Sequence, residues 1–103
     1  MNIEQLNHFS EVIKSGSFKL AAQKFAVSES VIKELMHSLE KEIDLKLIDC
    51  DGISKVVPTF EGLKISSLVK EVLLNYHELE EVVEFLRKDS IENGNLMYDV
   101  SIL

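Results

Sequence analysis

The stretch Gly16-Ser17-Phe18-Lys19-Leu20-Ala21-Ala22-Gln23-Lys24-Phe25-Ala26-Val27-Ser28-Glu29-Ser30 decides the fold. Phe18, Ala21, Ala22 and Phe25 recur at helical spacing, so residues 18–25 read as a short helix with one apolar face. Ser17 and Ser28 are N-cap residues, whose hydroxyls accept from the unpaired N–H groups of a first helical turn. Only Ala26 and Val27 stand between the short helix and the Ser28 cap, which leaves room for a tight turn and nothing more. The adjacent Ala21 and Ala22 predict a helix crossing closely at that point, because small side chains let two backbones approach.

Upstream, Ile3, Leu6, Phe9, Val12 and Ile13 predict a first helix over residues 3–14, closed by Gly16. Downstream, Ile32, Leu35, Met36, Leu39 and Ile43 predict a third helix over residues 29–43. Its other face carries Glu29, Ser30, Lys33, Glu34, His37 and Lys41. The period then shortens: Leu45, Leu47 and Cys50 set against Lys46, Asp49 and Asp51 read as a strand. Asp51-Gly52 signals a hairpin turn, and residues 55–57 return as the second strand. Pro58 ends that run, and Thr59 caps a fourth helix over residues 60–88.

Within the fourth helix, Ile65, Leu68, Val72, Leu79, Val82 and Leu86 fall on a heptad seam. Asn75 takes the remaining seam position, where it either sets register or simply meets solvent; Val69, Tyr76 and Val83 widen the stripe. The stripe could cover the preceding module, but a helix of that length extends about 43 Å, beyond so small a body. Leu79, Val82, Val83, Leu86 and Tyr76 therefore call for another chain. Residues 89–103 read as a tail with Asn93-Gly94-Asn95 before an apolar, alternating piece.

Composition bounds the class. At 103 residues, 46% of them hydrophobic, the chain is one domain's worth with material for a modest core, which excludes wholesale disorder. One Pro and four Gly exclude collagen-like and low-complexity sequences. The single Cys50 excludes an internal disulfide and a multi-cysteine metal site, which suits a reducing compartment, and it reads as a partly buried strand thiol in preference to a redox switch. His8, His37 and His77 fall on separate helices, so no metal site is expected, and no catalytic grouping or phosphate loop suggests an enzyme or a cofactor. No signal peptide or membrane-length apolar run is evident, so a soluble, cytoplasmic protein is expected. The net charge of −7 opposes indiscriminate polyanion binding.

The fold class that results is mainly α. Residues 1–59 form a winged helix-turn-helix of three helices and a two-stranded wing, and residues 60–88 a linker or dimerisation helix. In such a module the third helix stands proud of the body, so that its first turns enter a major groove about 12 Å wide. Lys33, His37 and Lys41 recur along it as a possible phosphate-tracking stripe, although a solvated helix face gives the same pattern.

The sequence resembles the N-terminal domain of LysR-type transcriptional regulators. The residues that carry this are Gly16-Ser17-Phe18, Ala21-Ala22, Val27-Ser28, Leu39-Glu40, Leu45, Leu47, Thr59 and Gly62, over residues 1–88. The resemblance implies a winged helix-turn-helix, a linker helix paired antiparallel with that of a second copy, and transcriptional regulation through double-stranded DNA. It also implies that the tail opens an effector-binding domain. Candidate base-facing residues are Ser28, Glu29, Ser30, Lys33 and Glu34; candidate phosphate contacts are Ser17, Lys19, Lys55 and Thr59. Candidate homodimer contacts are Val72, Asn75, Tyr76, Leu79, Val82, Val83 and Leu86.

The departures are specific. Glu29 stands where the family has Gln, Glu34 where it has Arg or another donor, and Asp44 where it has Gly. The wing reads one residue longer, with Lys55 its only cation. Residues 1–62 hold seven Lys and ten acids, a net −3, and the chain's single arginine is Arg87. These features support an alternative in which DNA binding is weak or lost and the protein acts by dimerisation.

Overall fold

The structure, a computed structural model, describes residues 1–50 and 55–93, with side chains to residue 89. Its elements run α1 (Ile3–Ser15), α2 (Phe18–Phe25), α3 (Glu29–Ile43), β1 (Ile48–Cys50), β2 (Val56–Pro58) and α4 (Phe60–Asn93). The Asp51-Gly52 turn and residues 94–103 lie outside the described residues.

Each helix begins on a side-chain oxygen. Asn2 Oδ1 accepts from Gln5 N–H at 2.8 Å, Ser17 Oγ from Leu20 N–H at 3.1 Å and Ser28 Oγ from Val31 N–H at 3.4 Å. Thr59 Oγ1 accepts from Gly62 N–H at 2.9 Å. The first three helices each end on a left-handed residue: Gly16 (φ 68°), Ala26 (φ 55°) and Asp44 (φ 58°). Glycine adopts that conformation without cost, whereas Ala26 crowds its Cβ against the backbone. Those turns set α2 across α1 and α3. Phe9, Val12, Ala21 and Ile32 are fully buried where the three helices meet, and Ala22 is nearly so, giving the close crossing expected of the alanine pair.

The wing pairs β1 and β2 antiparallel, with Ile48 opposite Pro58, Asp49 opposite Val57 and Cys50 opposite Val56. Here the expected alternation is corrected. Leu47 and Ile48 are buried in succession, while Leu45 and Cys50 are exposed. The cause is Glu40, whose carboxylate accepts from both Leu47 N–H (2.6 Å) and Ile48 N–H (3.2 Å). That fork holds residue 47 as irregular chain over the core and delays the strand to Ile48. β2 is tied back to α1 by Val56 N–H donating to the Gly16 carbonyl at 2.9 Å.

Residues 1–73 form one compact unit and residues from 74 onward a second. In the first, α4 buries Gly62, Ser66, Val69 and Leu73. Gly62 is obligatory: a Cβ there would lie 2.0 Å from the Leu47 carbonyl oxygen. In the second, every side chain from Leu74 to Lys88 is exposed. The helix runs on to Asn93, past the expected end at residue 88.

Candidate nucleic-acid interface

α3 is held by one face. Ile32, Met36 and Leu39 point into the core, and Ser30, Lys33, Glu34, His37 and Lys41 line the exposed opposite side. Ser28 and Glu29, at the start of the helix, are exposed as well. The Lys33 ammonium lies 5.6 Å from the centroid of the Phe18 ring, a cation–π contact that carries its charge across to the first turn of α2. Sequence reading misses this pairing because the two residues sit on different helices, with no spacing rule to join them.

The other candidate residues divide by what their polar atoms already do. Ser17 and Ser28 accept the capping N–H bonds, which leaves each hydroxyl hydrogen available to donate outward. Lys19 and Lys55 are exposed. Thr59 differs: its hydroxyl donates to the Lys46 carbonyl at 2.6 Å and its N–H to the Leu47 carbonyl at 2.9 Å. Both of its donors are thus spent on joining α4 to the wing, and none is left for a phosphate.

The charges are also partly spent. Lys24 pairs with Glu11 at 2.8 Å, the N-terminal ammonium with Glu42, and Lys46 with Asp49 at 2.9 Å. The hydrogen bond from Asp49 raises the Lys46 pKa above its usual value. Among the described residues, Glu29 and Glu34 have no ion-pair partner. The face of α3 therefore presents acceptors as well as a cation.

Val72, Asn75, Tyr76, Leu79, Val82, Val83 and Leu86 are all exposed. Leu74 and Phe85, off that seam, are exposed too. Among the described residues, no group of His, Cys, Asp or Glu is arranged to hold a metal ion, and no helix is long and apolar enough to cross a membrane. His8 is buried, with Nδ1 2.6 Å from the Glu4 carbonyl and its ring 4.1 Å from that of Phe25, so it serves the core.

Four helices with a two-stranded antiparallel wing following the third define a winged helix-turn-helix fold. The same fold occurs in the BenM_DBD/catB site 1 DNA complex, with a TM-score of 0.80 at 22% identity over 86% of this chain and 95% of that one. Residues 3–63 match the family described as "Bacterial regulatory helix-turn-helix protein, lysR family", and the chain belongs to that family. It is 30% identical over 101 residues to the multiple virulence factor regulator MvfR of Pseudomonas aeruginosa, covering 98% of this chain and 30% of MvfR. It is likewise 30% identical over 82 residues to the uncharacterized HTH-type transcriptional regulator YvbU of Bacillus subtilis, covering 80% of this chain and 28% of YvbU. The chain thus spans less than a third of the length of either relative.

Proposed function

We propose that the chain is the DNA-reading part of a transcriptional regulator, working as a dimer on double-stranded DNA in the cytoplasm and not as an enzyme. The observation that carries this reading is the exposed polar face of α3, opposite a fully packed one, on a fold otherwise found bound to DNA. Ser28, Glu29, Ser30, Lys33 and Glu34 face base edges, while Ser17, Lys19 and Lys55 reach phosphates. The helix N-termini of α2 and α3 favour phosphate oxygens at Ser17 and Ser28. Dimerisation uses the stripe from Val72 to Leu86.

The charge of residues 1–62, net −3 and without arginine, supports a second reading in which DNA binding is lost and the dimer itself is the function. A salt series of binding to the DNA upstream of the chain's own gene separates the two. With Lys19 and Lys55 of both copies on phosphates, log K against log salt falls with a slope of about −4. No binding at low salt by a chain shown to be dimeric selects the second reading.

A further inference from the structure

The acidic residues of α3 are the feature least suited to a polyanion, and Glu34 is the one best placed to meet bases. At 3.6 residues per turn it stands directly opposite the buried side formed by Ile32, Met36 and Leu39, one turn beyond Ser30. Glu29 lies on the flank of the helix instead. The neighbouring cation does not neutralise Glu34, because Lys33 is turned onto the Phe18 ring. Among the described residues nothing else pairs with it. An unpaired carboxylate inserted into a major groove has only acceptor atoms to offer. Guanine presents two acceptors there, and thymine an acceptor and a methyl group, so both repel it. Adenine sets its one donor beside an acceptor. Cytosine alone presents its N4 amine without an acceptor of its own.

We infer that Glu34 is a specificity-determining residue of this chain, accepting a hydrogen bond from the N4 amine of a cytosine in the major groove. This rests on the DNA-binding reading above. It turns the charge of α3 from an obstacle into a filter: the carboxylate weakens contact with duplex DNA generally and is offset only where a cytosine meets it.

The test is selection from a random double-stranded DNA library with the whole chain, its Glu34→Gln and Glu34→Ala variants, and Glu4→Gln. The last removes one negative charge from α1, away from the proposed interface, so it separates charge from base readout. Circular dichroism establishes that each variant is folded. The wild-type chain is expected to enrich sites with one cytosine position per half-site, preferred by about tenfold. Glu34→Gln moves that preference to adenine, since a carboxamide pairs with adenine N6 and N7. Glu34→Ala flattens it, and Glu4→Gln leaves it at cytosine. Identical consensus sites for the wild-type chain and both Glu34 variants overturn the inference while leaving the DNA-binding reading intact. A folded wild-type chain that enriches nothing and binds no duplex at low salt overturns both.

Discussion

The two halves of α4 make the same secondary structure for different reasons. From Phe60 to Leu73 the helix has a floor: Gly62 lies on the Leu47 carbonyl, and Val69 and Leu73 are buried against the core. From Leu74 to Lys88 it has none, yet Leu79, Val82, Val83 and Leu86 keep the same apolar spacing. Isolated helices in water are marginal, and most helical stability comes from packing an apolar face. The first half is therefore stabilised within the chain, and the second, among the described residues, has no such floor. Charge separates the halves as well, since the acidic residues cluster after Tyr76.

Substitutions can break this contrast from either side. The largest effect is expected from Gly62→Ala, whose methyl has no room against the Leu47 carbonyl oxygen. Thermal unfolding followed by circular dichroism should register a loss of about 3 kcal/mol. A variant as stable as the parent would mean that α4 does not lie against Leu47 as described. Next comes Leu79→Glu, which puts charge on the seam of the second half. Sedimentation equilibrium should find association weakened by about a hundredfold, or about 2.7 kcal/mol, with residues 1–73 still folded. Unchanged mass and helix content would remove the seam from the dimer.

Glu40→Ala sharpens the comparison by detaching the floor rather than the helix. It withdraws the acceptor shared by Leu47 and Ile48 N–H, at an expected cost of about 2 kcal/mol in urea unfolding. Glu40→Gln, which keeps an acceptor, should recover part of that. The smallest change runs in the opposite direction. Ala26→Gly relieves the left-handed C-cap of α2 and should raise stability by about 0.5 kcal/mol without altering self-association. A fall in stability would show that the Ala26 methyl contributes packing that outweighs its backbone strain.

The helices were legible because α1 to α3 bury continuous apolar faces at helical spacing and because α2 and α3 start on Ser17 and Ser28; the Asn2 cap of α1 emerged only in the structure. The wing was less so. Leu47 and Ile48 are both buried because a carboxylate from a distant turn grips their N–H groups, and no local alternation encodes that. On α4 the pattern pointed to Leu68 and Val72, which the structure leaves exposed. The face that packs runs through Gly62, Ser66, Val69 and Leu73, half of it glycine and serine, so hydrophobic periodicity passes over it. The exposed seam was legible for the complementary reason, being apolar without being covered. At the candidate interface, α3 gave up its outward residues by period alone. The engagement of Thr59 and the seat of Lys33 over Phe18 depend on tertiary contacts that spacing does not record.

The bond from Val56 N–H to the Gly16 carbonyl joins the root of the wing to the residue immediately before the α2 cap, and it uses no side chain. The bond asks only an N–H of position 56, which any residue but proline supplies, while the Val56 side chain is buried in the core beside it, so the hitch is made by main chain and packed in place by side chain. A force applied to the wing is delivered at Ser17, along main chain, to the mouth of α2. The two parts behave as a yoke rather than as separate fingers.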